Sequence, residues 1–298
     1  MKKYEFKKEV NNSTDNFANF SDIYNEFNFY QNEAYKILIE FHRICEKNGI
    51  NYVLAFGSLI GIVRDGGQIP WDYDIDVIVP FCEKEKMIKS LNNDLDKSFY
   101  YYSIDNNDAC RHMIMRIAPN KFKSEHLHLD IFFAIGTPNN IADIEKMSKR
   151  IKEISNIRFY KKVKIFEYSD WKIKKIVKIL LMRIKYLRCN LTKLMKEYYS
   201  LCNKYDVFKS KINITADTIS GNFLLDSKKL WDIIKIKDDN GHQFNIPKDY
   251  DTILKAIYGN YEEILPLKVR MKEMMNYYHI LHKYYYELYK KTNKGSEK

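Results

Sequence analysis

The sequence predicts an α+β fold, in which a mixed β-sheet core with flanking helices is followed by a mainly helical, basic second half. Short apolar or alternating stretches recur between helical patterns over residues 29–140, which is typical of a sheet with helices packed on it. Residues 141–206 instead repeat apolar side chains at helical spacing and are rich in lysine. Hydrophobic residues make up 45% and charged residues 30% of the chain, which excludes a mainly disordered or fibrous protein.

The predicted elements divide the chain into three parts. Residues 1–28 are polar and show no period, which predicts a flexible N-terminal arm. Residues 29–140 form the core, and residues 141–298 form a basic helical segment, a closing α+β part and a C-terminal helix packed on that core. Helices are predicted over 31–47, 59–64, 83–95, 141–206 and 266–291, strands over 52–56, 72–80, 100–104, 112–117 and 128–135, and the α+β part over 220–262.

Charge is distributed unevenly along the chain. The net charge of +11 arises from 16 basic and 20 acidic residues over 1–140 and from 34 basic and 19 acidic residues over 141–298. Such a split favours a polyanion, an anionic membrane or phosphate groups as partners. The five cysteines have no CxxC spacing, and the sequence shows neither a signal-like segment nor an apolar run that could span a bilayer. These observations predict a cytoplasmic protein, or one bound peripherally to the inner face of the cytoplasmic membrane.

Three aspartates are spaced for one face of a strand. Asp72, Asp74 and Asp76 lie at i, i+2 and i+4, and Asp130 has a similar setting on a later apolar strand. Clustered carboxylates repel each other unless a cation offsets their charge, and Mg²⁺ prefers such oxygen ligands. The alternative is a row of acids on a solvated edge strand. The apolar residues between and after the aspartates argue against it.

Upstream of the aspartates, Gly57 and Ser58 form a predicted strand-to-helix turn, where Ser58 would cap the helix and backbone N–H groups would suit a phosphate. A strand, a Gly-Ser turn and helix, a strand with Asp-x-Asp and a third Asp on a later strand form the layout of the nucleotidyltransferase fold. The chemistry that this layout indicates is metal-assisted phosphoryl or nucleotidyl transfer, in which a carboxylate such as Asp130 helps to deprotonate the attacking hydroxyl.

Two adjacent motifs, GSLIGIVR at 57–64 and GQIPWDYDID at 67–76, resemble the signature of the LicD family of phosphotransferases. That family includes bacterial phosphocholine transferases and is similar to the fukutin-related proteins. Ser58, Ile60 and Gln68 depart from the family pattern, but none of these changes removes a candidate ligand. The resemblance extends to 44–50, 129–132, 246–250 and 254–261, whereas the basic middle of the chain is unmatched.

The resemblance implies transfer of a phospho-substituent from a CDP-linked donor, most typically CDP-choline with CMP as leaving group, to a glycan hydroxyl. Mg²⁺ is the implied cofactor, with Mn²⁺ as a substitute. Asp74, Asp76 and Asp130 would be the metal ligands and Asp72 a supporting acid. Gly57, Ser58 and Arg64 would contact phosphate or hold the loop. The alternative for Arg64 is a local salt bridge with Asp65 or Asp72.

Other polar residues are candidates with alternatives. His112 and Arg116 share a face of the predicted strand 112–117, which would point both toward donor phosphates; the alternative is a surface position at a sheet edge. His126, His128 and Asp130 have the spacing of a transition-metal set. We favour His126 as a loop residue and His128 as a neighbour of the magnesium site, because carboxylates suit Mg²⁺ better.

Aromatic residues lie within or beside the matched motifs. A choline head group would be held by aromatic faces through cation–π contacts. The candidates for such a cage are Trp71, Tyr73, Tyr258 and Tyr261. The alternative for each ring is packing in the core.

The segment 161–188 holds 10 basic and 2 acidic residues together with an apolar stripe. It predicts contact with an anionic inner membrane, where a lipid-linked glycan acceptor would be found, or else an amphipathic helix packed on the core with a solvated basic face.

Two other functions stay open: transfer of a different CDP-linked group, such as phosphoribitol or phosphoglycerol, and nucleic-acid binding. The acidic cluster disfavours nucleic acid as a partner.

Overall fold

A computed structural model of the chain describes residues 2–13, 19–122, 126–165, 173–217 and 224–294. The strands within these ranges are β1 (Val53–Leu54), β2 (Ile75–Pro80), β3 (Phe99–Tyr102), β4 (Met115–Pro119), β5 (Leu129–Gly136), β6 (Ile212–Thr215), β7 (Leu225–Asp226), β8 (Ile233–Lys237) and β9 (Gln243–Pro247). The helices are α1 (Lys3–Asn11), α2 (Phe20–Asn48), α3 (Phe56–Ile60), α4 (Lys84–Asp94), α5 (Ile141–Lys162), α6 (Ile173–Lys185), α7 (Leu191–Cys202), α8 (Ser227–Trp231), α9 (Tyr250–Tyr258) and α10 (Leu267–Lys294). A π-helical turn over Gly61–Asp65 follows α3, and a 3-10 turn over Phe81–Glu83 precedes α4.

A mixed sheet of seven strands organises the fold. Its main order is β1-β2-β5-β4-β3, and β2 and β5 are its parallel pair. Strand β6 pairs antiparallel with the last residues of β5, and β7 pairs with β6, so residues from both sides of position 140 build one sheet. Strands β8 and β9 form a separate hairpin. The predicted α+β class, with a mixed sheet and flanking helices, is confirmed.

The two faces of the sheet are covered differently. Side chains such as Val77 and Ile131 point to the larger core, where α2 and α10 contribute apolar side chains. Side chains such as Ile78 and Phe132 point to a smaller core with α8 and α9. Since side chains alternate along a strand, Asp76 and Asp130 lie on the face of this smaller core, at the start of β2 and β5.

Most predicted elements of the core are confirmed, with shifted ends. The strand predicted over 72–80 begins at Ile75, so Asp72 and Asp74 precede it in a segment without regular secondary structure. The strand predicted over 112–117 begins at Met115, which leaves His112 in the preceding loop. Helix α3 begins at Phe56, so the prediction that Ser58 caps this helix is wrong; Ser58 lies within its first turn.

The prediction of a loose arm over 1–28 is wrong for the described residues, because they contain α1 and the first turns of α2. Phe6 of α1 is fully buried, and its ring lies 5.4 Å from that of Trp71. Arg270 of α10 adds a bidentate ion pair with Glu9, with an Nη1–Oε2 distance of 2.9 Å. The aromatic residues of this polar segment therefore anchor it to the core.

The second half is mainly helical over its described residues, as predicted, although residues 166–172 and 218–223 of the predicted segments lie outside the described ranges. The C-terminal helix predicted over 266–291 is confirmed as α10. None of the helices in the described ranges is both long enough and apolar enough to cross a membrane.

Candidate active site

The site is organised by a row of three polar residues across three neighbouring strands. Asp76 of β2 is in register with Asp130 of β5, and Asp130 is in register with Arg116 of β4. Directly opposed residues on adjacent strands share a face and lie close together. Arg116 donates from Nε to Oδ1 of Asp130 at 2.6 Å, and Nε2 of His128 lies 3.2 Å from the same oxygen.

The segment before β2 brings two more carboxylates to this row. Gln31 of α2 donates from Nε2 to the carbonyl oxygens of Ile69 and Asp72, at 3.0 and 2.5 Å, and so holds the chain just before the strand. The backbone N–H of Asp74 donates weakly to Oδ1 of Asp72, at 3.4 Å. The aspartates are thus grouped by this anchored segment, rather than by the pleat of one continuous strand.

The glycines of the first motif allow close approach of backbone to the acidic segment. A Cβ at Gly57 would lie 3.0 Å from Oδ2 of Asp72, and a Cβ at Gly61 would lie 2.4 Å from the carbonyl oxygen of Gly67. A side chain at either position would push the helix away from the acids. Ser58 ties the same helix to β2, because its Oγ accepts a hydrogen bond from the N–H of Asp76 at 2.9 Å. Its hydroxyl hydrogen is then available to a ligand.

The carboxylates differ in their electrostatic surroundings. Burial and then the charge of Asp72 raise the pKa of Asp74 well above its ordinary value, and burial and then Asp74 and Asp130 do the same for the pKa of Asp76. Burial also raises the pKa of Asp72. Burial opposes ionisation of Asp130 too, but its pKa is lowered because the ion pairs with His128 and Arg116 outweigh burial. The site therefore combines one carboxylate that is neutralised by ion pairs with three that have no equivalent countercharge among the described residues.

The side chains of the site supply some, but not all, of the ligands that a magnesium ion needs. In the described ranges, no group of three or more His, Cys, Asp or Glu side chains is arranged to hold a metal ion by itself. Oδ1 of Asp74 is, however, buried, and it has no hydrogen-bond partner among the described residues. Mg²⁺ is commonly held by one or two carboxylates, with water and substrate phosphates as its other ligands. Asp74 and Asp76 fit that mode of binding.

Three of the residues predicted to bind substrate are engaged in the fold. Arg64 forms a bidentate ion pair with Asp65 at 2.8 and 2.9 Å and donates from Nη1 to the carbonyl oxygen of Tyr261 at 3.0 Å. This geometry supports the alternative of a local salt bridge. Trp71 is buried beneath the guanidinium groups of Arg64 and Arg270. Tyr261 is also buried, and its hydroxyl donates to Oδ1 of Asp251 at 3.0 Å.

Two other tyrosines lie beside the acids. Burial and then the charges of Asp76 and Asp72 raise the pKa of Tyr258, which lies at the end of α9 and is 45% exposed. Burial and then the charge of Asp74 raise the pKa of Tyr277 of α10, whose ring packs edge-on against Tyr73 at 4.9 Å. Tyr277 was missed by sequence reasoning, because its helix is remote from the motifs along the chain.

The histidines near β5 have separate roles. His128 pairs with Asp130, whereas the ring of His126 stacks on Tyr284 of α10 at 4.1 Å. The structure thus confirms that His126 lies in a loop and His128 beside the acids. His112 lies in the loop before β4. Burial and then the charges of Arg116 and Arg111 lower its pKa to about 3, so the ring is neutral.

A cleft of about 220 Å³ is lined by two residues, His112 and Asp217, that interact electrostatically with the acidic cluster. Its lining includes Arg111, His112, Ser155, Phe159, Tyr160 and Asp217. Asp217, which follows β6, is 8% exposed, and its charge contributes to the raised pKa of Asp76. Sequence reasoning missed Asp217, because only the pairing of β6 with β5 brings it to this face. The cleft offers a cation, aromatic rings and a carboxylate to a polar ligand.

Comparisons with known proteins agree with this geometry. Residues 49–173 match the family described as LicD/FKTN/FKRP, nucleotidyltransferase domain. The chain is also 25% identical over 245 residues to the lipopolysaccharide cholinephosphotransferase LicD of Haemophilus influenzae, a match that covers 77% of this chain and 89% of the relative. The family match includes Asp72, Asp74, Asp76, Arg116 and Asp130.

Proposed function

Since residues 49–173 match the LicD family, we propose that the chain is a phosphotransferase of that family and that it transfers phosphocholine from CDP-choline to a hydroxyl of a cell-surface glycan precursor of the lipopolysaccharide type. The observation that carries this proposal is the row of Asp76, Asp130 and Arg116 beside the unpaired, buried oxygen of Asp74. Uncompensated carboxylates next to a fixed cation suit a diphosphate donor that arrives with a divalent metal.

The proposed reaction exchanges one phosphorus–oxygen bond for another. The acceptor oxygen forms a bond to the phosphorus that carries choline, and the bond from that phosphorus to the oxygen bridging to the cytidine phosphate breaks. CMP leaves, and the proton of the hydroxyl passes to a carboxylate of the protein. Bound Mg²⁺, held by Asp74 and Asp76 with Asp130 beside them, would offset the negative charge of the phosphates and of the leaving group.

Residues of the chain position the donor. Arg116 is half-buried, its ion pair with Asp130 favours its charged form, and the N–H groups that do not bond Asp130 or Tyr102 suit the phosphates. The hydroxyl of Ser58, at the start of α3, is held next to β2 and adds a donor. The charges of the acidic cluster act on Tyr258 and Tyr277, so we assign the cation–π contact with choline to these rings rather than to the buried Trp71 and Tyr261.

The proton acceptor is better assigned to Asp217 than to Asp130. A carboxylate paired with both Arg116 and His128 is stabilised as an anion and takes up a proton poorly. Asp217 lines the cleft, where a polar acceptor can enter, and its charge contributes to the raised pKa of Asp76. Asp130 then serves to hold Arg116 in position.

The proposal is tested by incubating the purified full chain with CDP-choline, Mg²⁺ and a lipopolysaccharide oligosaccharide that lacks choline. We expect release of CMP and addition of phosphocholine to the oligosaccharide, measured by chromatography and mass spectrometry. CDP-ribitol and CDP-glycerol serve as competing donors, and Mn²⁺ is compared with Mg²⁺. Faster release of CMP from one of the other donors would reassign the transferred group, whereas no reaction with any CDP-linked donor would contradict the proposal.

A further inference from the structure

Helix α6 and the turn after it expose a continuous apolar stripe. Its members recur at helical spacing and are exposed by 44–79%: Ile173, Val177, Leu180, Leu181, Ile184 and Leu187. Single exposed apolar residues are common on protein surfaces, but a contiguous apolar stripe marks an interaction surface. The alternative in which this stripe packs on the core is therefore wrong.

The opposite side of α6 attaches it to the rest of the protein. Ile179 is buried, and Arg183 donates from Nε to the carbonyl oxygen of Tyr160 at 3.0 Å and from Nη2 to that of Val163. Lys161 of α5 donates from Nζ to the carbonyl oxygen of Cys189 at 2.6 Å. These contacts fix which side of α6 faces inward, so the apolar stripe faces outward in the folded chain.

Positive charge borders the stripe. Lys174, Lys178, Lys185 and Arg188 are all exposed, and residues 173–188 contain no acidic residue. A helix with an apolar stripe and a lysine-rich side is typical of segments that lie in the interface of an anionic membrane. A second copy of the chain would bring like charges together along the same stripe, which disfavours self-association.

We propose that α6 and its following turn dock the protein on an anionic lipid membrane, with the stripe at the boundary between head groups and acyl chains and the basic residues on the head groups. Helix α5 connects this surface to the cleft, because Phe159 and Tyr160 line the cleft while Tyr160 and Val163 hold α6. Presentation of a lipid-linked acceptor to the cleft rests on the proposed function, whereas membrane binding itself does not.

The experiment is co-sedimentation of the full chain with vesicles of phosphatidylglycerol and phosphatidylethanolamine, compared with vesicles of phosphatidylcholine alone. We expect binding to the anionic vesicles that weakens with added salt. The double variant Leu181→Glu, Ile184→Glu should weaken binding at least ~10-fold, because it places charge in the apolar boundary. Each of Lys174→Gln and Lys178→Gln should weaken it about fivefold at low salt.

The matched control is Ile141→Glu, which introduces the same charge at an exposed apolar position of α5 outside the stripe. It should bind vesicles like the wild type, and thermal melts should show that all variants are folded. Equal binding to both kinds of vesicle, or unchanged binding by the Leu181→Glu, Ile184→Glu variant, would overturn the proposal. The proposal would also be overturned if light scattering showed that the wild type is a dimer and that the Leu181→Glu, Ile184→Glu variant is a monomer.

Turnover with a soluble oligosaccharide acceptor is measured on the same proteins. Vesicle binding without any turnover would leave membrane docking intact and count against the proposed function alone. Turnover without vesicle binding would support the proposed function and count against membrane docking alone.

Discussion

Asp76 and Asp130 lie directly opposite each other on the parallel strands β2 and β5, although they are far apart in the sequence. The pairing places two carboxylates side by side on a largely buried face, and Arg116 on the next strand forms an ion pair with Asp130. Asp76 and Asp74 are left without an equivalent countercharge, which is the electrostatic condition that a divalent cation relieves.

Asp76→Asn is expected to lower CMP release ~100-fold or more, because it removes a negative charge from the carboxylates proposed to bind the metal. Burial and neighbouring acids raise the pKa of Asp76, so its ionisation opposes folding in the absence of metal. The variant should therefore melt in EDTA at the same temperature as the wild type or higher. Asp143→Asn, at an exposed position of α5, is the control. A variant with near-wild-type turnover would place the site elsewhere.

Thermal melts with CDP-choline, CDP-ribitol or CDP-glycerol, each with and without Mg²⁺, should identify the donor. A ligand at one hundred times its Kd adds roughly 2.7 kcal/mol of stability. We expect this stabilisation with CDP-choline only when Mg²⁺ is present, and we expect Asp74→Asn to lose it. Equal stabilisation in EDTA would show that the donor binds without the metal.

Tyr258→Leu should raise KM for CDP-choline about five- to thirtyfold, since a cation–π contact contributes roughly 1–2 kcal/mol. The KM for an uncharged analogue such as CDP-glycerol should change little. Tyr284→Leu, at a tyrosine that is 40% exposed and stacked on His126, is the matched control in steady-state kinetics. Equal losses with both donors would argue against recognition of choline by this ring.

Asp217→Asn should reduce kcat by ~100-fold or more without a comparable change in KM for the donor, because general-base catalysis contributes roughly 10²–10⁴-fold. The acidic limb of the pH–rate profile should also disappear. A larger KM with an unchanged pH profile would instead assign Asp217 to binding of the acceptor.

Asp105→Asn should lower the free energy of unfolding by ~2 kcal/mol at pH 7, because it removes the charged partner of the buried Lys84 at 2.8 Å and a hydrogen bond to a charged group contributes roughly 1.5–3 kcal/mol. Burial opposes ionisation of Asp105, but Lys84 outweighs burial and lowers its pKa. The stabilisation is therefore present above the ordinary carboxyl pKa and is lost as the pH falls through the lowered value. Urea unfolding at pH 7 and at a series of pH values below the ordinary carboxyl pKa measures it, and a difference between variant and wild type that does not shrink over that series would contradict this assignment.

Sequence reasoning identified the acidic motif and the sheet that carries it, because strand alternation and the Gly-Ser and Asp-x-Asp spacings are local patterns. It misplaced the start of β2 and assigned Ser58 to a cap, although Ser58 accepts from Asp76 instead. It also interpreted 1–28 as an arm. The burial of Phe6 against Trp71 depends on a tertiary contact that the polar composition of this segment does not predict.

By itself, the sequence determined which residues carry charge, which segments alternate and which motif resembles a family of phosphotransferases. Only the tertiary structure decided that Arg64, Trp71 and Tyr261 support the fold, and that Asp217 and Tyr277 join the acids. It also decided that the stripe of α6 faces outward. The physical reason is that strand register and helix packing bring together residues distant in the chain, whereas a sequence pattern records only spacing within one element.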